Sequence, residues 1–250
     1  MNQLYLIAAL ITFAFTTVLT ISGVGAAFIL IPVFIAMGIP LLTAMSTALL
    51  LNSVSMAFAS ISFSRAKLIL FRTAVPVLVA ATVLSPLGAV TAGRLPESLL
   101  KWILTGFIVF AATMMLFYRP HDRHIEASPN KEIAFGAGVG SLAGFLGGLL
   151  GVGGGNIIAP ALVLLGIDTR KAVATTAFIV IFSSLAGFLS HVSTGNVDIY
   201  LLALCVVGSI GGALLGAYLM RKKLNPSQVK LTLGIVLYLI AIKMVWDLLK

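Results

Sequence analysis

Apolar residues occupy eight long runs of the chain, and short segments that carry most of the charged residues separate these runs. The long runs lie at residues 4–22, 41–63, 75–92, 98–117, 133–150, 169–190, 198–220 and 227–249. A helix that spans a bilayer needs roughly 20 mostly apolar residues. Two shorter apolar pieces, 26–37 and 156–166, follow the first and fifth runs. The pattern predicts an all-α polytopic membrane protein with eight long transmembrane helices and two short broken or re-entrant helices.

Composition supports a membrane protein over a soluble one. Of the 250 residues, 60% are hydrophobic and 9% are charged, which is too little polar surface to cover a soluble globule. The basic residues behind the net charge of +9 lie mainly in loops between the runs, where they indicate the orientation of the chain in the membrane. The charge therefore predicts no nucleic-acid partner. The single cysteine, Cys205, lies in an apolar run, which excludes an internal disulfide and a cysteine zinc site. The first 20 residues lack Lys and Arg, and we interpret them as a retained first helix.

The chain repeats itself at an offset of 128 residues. Residues 23–62 align with 151–190 without a gap and with eleven identities. The identical positions of the first copy are Gly23, Val24, Gly25, Ile29, Pro32, Gly38, Ile39, Ala44, Thr47, Ser55 and Ser62. The sequence therefore predicts two copies of one unit, residues 1–120 and 133–250, joined by a cytoplasmic linker at 121–132.

Basic residues indicate that the two copies have opposite orientations. Cytoplasmic loops are enriched in Lys and Arg, and the basic loops here surround residues 65–72, 119–131, 170–171 and 221–230. The basic segment 63–69 corresponds by the repeat to 191–197, which contains no Lys or Arg. Corresponding loops thus fall on opposite sides, so the repeat is predicted to be inverted, with both termini outside. Inverted repeats are typical of secondary transporters, whose sites lie near the midplane at the repeat interface.

Small residues recur every four positions on two of the predicted helices. They are Gly136, Gly140, Gly144 and Gly148 on one helix and Gly208, Gly212 and Gly216 on the other. This spacing lets helix backbones approach closely in a bilayer. We predict helix packing at both stripes, and the sequence leaves open whether the contact is internal or between protomers.

The stretch "GVGGGNIIAP" at residues 151–160 is the most unusual part of the sequence. It lacks the third glycine, the preceding strand and the downstream acid of a dinucleotide fingerprint, and the chain has no phosphate-loop motif. The remaining interpretation of this stretch is an interrupted helix. The N-terminus of a helix that restarts near Asn156 would bind an anion through its free N–H groups. The first copy has Ala26, Ala27 and Phe28 in place of Gly154, Gly155 and Asn156. We therefore predict a weaker or purely structural site there.

Hydroxyl and amide side chains concentrate on the two helices that follow the short pieces, and we expect them to line the same cavity as the glycines. The predicted substrate-binding residues are Gly151, Gly153, Gly154, Gly155, Asn156, Thr175, Thr176, Ser183, Gly23, Gly25, Thr47, Asn52 and Ser55. No Asp or Glu lies in the middle of a run, so the chain lacks the carboxylate relay of proton pumps. We expect no cofactor and no metal. Ser184 and His191 are two turns apart on one helix, which argues against a hydrolase.

The stretch "GVGGGNIIAPALVLLGIDTRKAVATTAFIVIFSSLAGFLSH" and its fainter copy "GVGAAFILIPVFIAMGIPLLTAMSTALLLNSVSMAF" resemble the TauE/SafE family of membrane permeases, also called sulfite exporters. The resemblance covers essentially the whole chain. It implies a non-enzymatic transporter of a bacterial or archaeal inner membrane that moves sulfur-containing anions such as sulfite, thiosulfate or organosulfonates. The expected partners are a small anionic substrate and the lipid bilayer. The sequence leaves an anion channel and a non-transporting scaffold open as alternatives. It also leaves open whether the protein forms a homo-oligomer.

Overall fold

The chain folds into α-helices joined by short connections. The computed structural model describes residues 2–22, 27–117, 129–192, 199–221 and 226–249, and no β-strand occurs within these ranges. The helices are α1 (Asn2–Ser22), α2 (Ala27–Ala36), α3 (Leu41–Arg65), α4 (Phe71–Ala92), α5 (Glu97–Phe117), α6 (Pro129–Leu150), α7 (Gly155–Leu164), α8 (Thr169–Val192), α9 (Ile199–Arg221) and α10 (Pro226–Leu249). The all-α prediction is confirmed, and each helix covers one predicted apolar run. Gly23, Gly25 and most of the predicted linker 121–132 lie outside the described residues.

Apolar side chains cover the outside of the helix bundle as well as its inside. On α4, one stripe is more than half exposed, and it consists of Phe71, Val75, Val79, Val83 and Leu87. The opposite stripe, which includes Ala74, Val77, Ala81 and Ser85, is buried. Water would penalise such an exterior, whereas lipid accepts it. Within the described ranges, six helices are long and apolar enough to cross a bilayer, so the chain is a multi-pass membrane protein.

The two predicted glycine stripes form internal helix contacts, which we call the glycine seams. In the first seam, Gly144 and Gly148 of α6 lie against the backbone of Ala81 and Ser85 of α4. In the second seam, Gly212 of α9 lies against the backbone of Phe13 of α1. A Cβ at any of these glycines would clash with the backbone of the facing helix. The packing prediction is therefore confirmed, and both contacts lie within one chain.

The pairs of residues in contact give the relative directions of the helices. Helices α3 and α8 are antiparallel, since residue numbers fall on α8 as they rise on α3 in the pairs Leu49–Gly187, Asn52–Ser184 and Ser53–Ile181. Helices α5 and α10 are also antiparallel, as the pairs Thr113–Tyr238 and Leu116–Gly234 indicate. In contrast, α4 is parallel to α6 and α1 is parallel to α9, because residue numbers rise together along both glycine seams. Each of these four pairings joins one helix from each predicted copy.

The two short helices end in the same way. Gly38 follows α2 with φ +84°, and Gly166 follows α7 with φ +83°. The N–H of Ile39 donates to the Phe34 carbonyl, and the N–H of Ile167 donates to the Leu162 carbonyl. This is the hydrogen bond of a Schellman cap, which requires a left-handed residue and therefore favours glycine. Every residue of one cap is offset by 128 from its counterpart in the other.

Candidate substrate-binding site

The chain between α6 and α7, which we call the glycine break, consists of residues 151–154. Gly151, Gly153 and Gly154 have φ angles of +73°, +75° and +78°. Side-chain-bearing residues rarely adopt these angles, so the glycines are needed for the backbone path itself. The N–H groups of Val152 and Gly153 both donate to the Gly147 carbonyl, at 2.9 and 3.2 Å. These bonds terminate α6 and turn the chain back on itself.

Helix α7 begins at the glycine break with an uncapped N-terminus. Its N-cap residue, Gly154, has no side chain to accept a hydrogen bond, and its carbonyl accepts only from Ile157 and Ile158. Within the described part of the chain, the N–H groups of Gly155 and Asn156 have no hydrogen-bond acceptor. Asn156 is 8% exposed, and its side-chain Nδ2 is a buried donor that also has no partner there. Buried donors of this kind are uncommon because each leaves a desolvation cost uncompensated.

The glycine break lies against the place where α3 and α8 cross. The Ser53 hydroxyl donates to the Ile181 carbonyl across the two helices at 2.9 Å. Next to this bond, the Asn52 amide Nδ2 donates to Ser184 Oγ at 3.0 Å. A Cβ at Gly153 would clash with both Asn52 and Ser184, so the backbone of the break lies directly on this pair.

Several of the predicted site residues are thus brought together. Ser183 on α8 donates to the Gly153 carbonyl at 3.3 Å, which ties the break to the helix crossing. Ser184 accepts a hydrogen bond from Asn52, so its own hydroxyl hydrogen can still be donated. The described residues supply no acceptor for this hydrogen. The glycine break, Asn52, Ser183 and Ser184 therefore form one buried polar cluster. Together with Asn156, which follows the break on α7, we call it the break site.

Other predicted residues have different surroundings. Thr175 accepts a hydrogen bond from the Leu70 N–H at 3.0 Å, which holds the α3–α4 connection against the start of α8. It lies nine residues from Ser184, or about 13 Å along the helix. Ser55 donates back to the Asn52 carbonyl of its own helix at 3.0 Å. Thr47 and Thr176 are buried, and their hydroxyls have no partner among the described residues. Gly23 and Gly25 cannot be placed, as they lie outside those residues.

The contacts of three further residues were not predicted from the sequence. Ser53 and Ser184 belong to the hydroxyl-rich stretches, but only their contacts across the crossing distinguish them from neighbouring serines. His191 is 1% exposed, and its Nε2 donates to the Gly148 carbonyl at 2.8 Å, so the ring holds the end of α6 against α8. The nearness of Gly148 and His191 in space has no signal in the sequence.

The chemistry of the break site is that of neutral hydrogen-bond donors. The Asn156 amide, the Ser184 hydroxyl and the backbone N–H groups at the start of α7 are donors without an acceptor among the described residues. Helix α7 adds the positive end of its dipole, about half a unit charge. Among the described residues, no cluster of His, Cys, Asp and Glu could hold a metal ion. Such a site suits an anion in a water-poor interior.

The apolar exterior, the broken helix and the buried donor site together define a membrane transport protein. The sequence profile of the family described as "Sulfite exporter TauE/SafE" matches residues 7–244. The chain belongs to this family, whose members are membrane transporters and not enzymes. The resemblance noted from the sequence is confirmed over nearly the whole chain.

Relatives from bacteria and plants agree with this assignment. "Probable membrane transporter protein YdhB" of Bacillus subtilis is 28% identical over 83% of this chain and 88% of its own length. "Probable membrane transporter protein YunE" of the same species is 39% identical over 51% of this chain, but the match spans only 45% of YunE. "Sulfite exporter TauE/SafE family protein 1" of Arabidopsis thaliana is 34% identical over 41% of this chain and 24% of its own length. No solved structure matches the chain significantly.

Proposed function

We propose that the protein is a secondary transporter of small anions, with sulfur oxyanions such as sulfite and thiosulfate, or organosulfonates, as the substrate class. The observation that carries this proposal is the buried, uncapped start of α7 beside the unpartnered Nδ2 of Asn156. A negatively charged oxygen accepts from several such donors at once and gains the helix dipole as well. Relatives named as sulfite exporters support the choice of sulfur oxyanions over other anions.

We further propose two inverted repeats, residues 1–120 and 133–250, with eight transmembrane helices and the half-length helices α2 and α7. Helix directions support the inversion, because the equivalent helices α3 and α8 are antiparallel, as are α5 and α10. Matching caps at Gly38 and Gly166 support the duplication. A helix of 10 residues is about 15 Å long, which is half of a bilayer core, so α7 has to start or end inside the membrane.

The break site then lies near the membrane midplane. An inverted repeat has its two-fold axis in the membrane plane. Ser53 and Ile181 are 128 residues apart, which is the repeat offset, so their hydrogen bond joins equivalent positions and lies on that axis. Gly153, Asn52 and Ser184 surround the same point. The donors at the start of α7 therefore lie about midway between the two membrane surfaces.

Burial of the site favours a carrier over a channel. Asn52, Ser183, Ser184 and Asn156 are each 8% exposed or less, so an anion reaches them only when helices move. The basic residues near Leu70 and Thr175 lie at one end of the bundle, which we assign to the cytoplasm of a bacterial or archaeal cell, with both termini outside. An anion leaving a cell that is negative inside gains about 2.3 kcal/mol per charge per 100 mV. Export therefore needs no coupling carboxylate.

Transport in liposomes tests this proposal. We expect purified protein to move labelled sulfite and thiosulfate faster than empty vesicles do, with a rate that follows an imposed potential. Unlabelled substrate on the opposite side should accelerate the exchange, which a channel would not show. If a broad panel of small inorganic and organic anions crosses no faster than in empty vesicles, the proposed function is wrong.

A further inference from the structure

A cavity of about 420 Å³ opens on the outside of the bundle between α3, α4 and α8. It extends along α3 from Ala57, about one turn past the helix crossing, to Arg65 at the end of the helix. Its lining includes Ser60, Ser64, Arg65, Phe71, Phe178 and Ile181. Phe71 is 54% exposed, so the cavity faces the surroundings of the bundle and not its interior. None of these residues belongs to the break site.

The lining changes from charged to hydroxylic to apolar along α3 and α8. Arg65 occupies the last turn of α3, next to Ser64, and Ser60 lies about one turn further in. Ser60 is 5% exposed, and within the described residues its buried Oγ has no hydrogen-bond partner. Phe178 and Ile181 form the apolar floor. A phospholipid has the same order of groups, with a phosphate, then ester oxygens, then an acyl chain.

The depth of these groups in the membrane fits a lipid. Arg65 is twelve residues beyond Ser53, or about 18 Å along α3. Half of a bilayer core is about 15 Å, so the guanidinium is level with lipid phosphates if Ser53 marks the midplane. This depth rests on the proposed repeat arrangement, whereas the order of groups in the cavity does not.

Charge at this end of the bundle favours an anionic lipid. Lys67, Arg72, Arg170 and Lys171 are exposed here, as is Arg65 itself. The Leu70–Thr175 hydrogen bond shows that these segments of α3, α4 and α8 lie together. Asp168 is the acid at this end, where it caps α8, and within the described ranges these cations form no salt bridge. Basic pockets between transmembrane helices bind lipid headgroups through such cations.

We propose that this cavity is a binding site for an anionic phospholipid. Its phosphate accepts from Arg65, its ester oxygens accept from the hydroxyls of Ser64 and Ser60, and an acyl chain packs on Phe71, Phe178 and Ile181. The lipid would complete the hydrogen bonding of Ser60, which the protein leaves unsatisfied. It would also contact Ile181 of α8, whose carbonyl accepts the hydrogen bond from Ser53 at the helix crossing.

Fluorescence quenching by brominated lipids tests the proposal. The reporter is Phe71→Trp in a chain whose own tryptophans are replaced, Trp102→Phe and Trp246→Phe, reconstituted with defined mixtures of brominated phosphatidylglycerol and phosphatidylcholine. We expect the phosphatidylglycerol to bind about fivefold more strongly at the reporter, the factor for one basic residue near the surface. Arg65→Gln should abolish this preference and Arg65→Lys should retain most of it. Arg170→Gln, at an exposed arginine that is at the same end of the bundle but does not line the cavity, serves as the matched control and should change the preference much less.

Three results would overturn the proposal. The first is equal quenching by the two lipids, and the second is an equal loss of preference in Arg65→Gln and Arg170→Gln, which would indicate a diffuse surface potential. The third is displacement of the brominated lipid by a soluble alkanesulfonate, which would assign the cavity to a substrate. Should Arg65→Gln fail to fold, Ser60→Val removes the buried hydroxyl donor without changing the charge and should lower quenching by the brominated phosphatidylglycerol. Transport activity is not needed for this readout, so a failed transport assay leaves it intact.

Discussion

The starts of the two short helices, α2 and α7, occupy equivalent positions but differ in chemistry. Where α7 has Asn156 with an unpartnered amide, α2 has Phe28, a fully buried ring in the apolar core. The flanking residues differ in the same sense, since Ala27 of α2 replaces Gly155. One start is therefore filled and the other leaves polar groups without partners. Under the proposed repeat, one half keeps the proposed binding site and the other half uses the equivalent space for packing.

The largest expected effect comes from Gly153→Ala. The new Cβ would clash with Asn52 and Ser184, and the φ of +75° costs about 1–2 kcal/mol for a residue with a side chain. We expect at least a tenfold loss of transport, measured in liposomes, together with a lower melting temperature. Gly138→Ala is the matched control, since its Cβ would meet nothing within 4 Å. A Gly153→Ala protein with normal transport would contradict the placement of the break on the helix crossing.

Next in size is the contrast between Asn156→Leu and Phe28→Leu. Leucine at 156 removes the free amide donor while adding little strain, so we expect about tenfold slower transport with little change in the free energy of unfolding. Leucine at 28 leaves a small void in the core and should cost about 1 kcal/mol of stability, with transport within twofold of the parent. Melting temperature and initial transport rate, measured on both variants, separate the two roles. Equal transport losses at the two positions would refute the asymmetry.

The smallest effect concerns the helices that follow α2 and α7. Asp168 caps α8 through hydrogen bonds from the N–H groups of Arg170 and Lys171, whereas Pro40 at the start of α3 makes no side-chain cap. Asp168→Ala should therefore lower the free energy of unfolding by about 1 kcal/mol. Pro40→Ala should change it by much less. Denaturation of both variants in detergent measures the difference, and an equal loss would mean that the cap contributes nothing.

Much of the fold follows from the sequence, because a bilayer imposes few choices on a chain. The hydropathy pattern located all of the helices, and the glycine spacing identified both seams, since only glycine allows such close backbone contact. The glycine break was also predicted, and the repeat comparison singled out Gly154, Gly155 and Asn156. The family assignment followed from the same residues.

The partners of the break could not be derived in this way. Hydroxyl residues are numerous on α3 and α8, and their helical spacing does not indicate which of them meet across the crossing. Thr175 illustrates the problem: its hydroxyl binds the backbone at Leu70, where the α3–α4 connection passes, and that contact depends on how α3, α4 and α8 pack. His191 likewise meets Gly148 only because α6 and α8 are both parallel to α4. Such contacts are set by helix packing and not by local sequence.

The hydrogen bond between Ser53 and Ile181 has a consequence for how a duplicated protein can evolve. Under the proposed inverted repeat, a dimer of identical halves would have the same residue on both sides of the two-fold axis. Once the halves were joined in a single chain, each position could change alone. Here one half retains a hydroxyl and the other contributes only its backbone carbonyl. Under the proposed inverted repeat, one continuous chain can therefore have an unequal centre, which a dimer of identical subunits could not have.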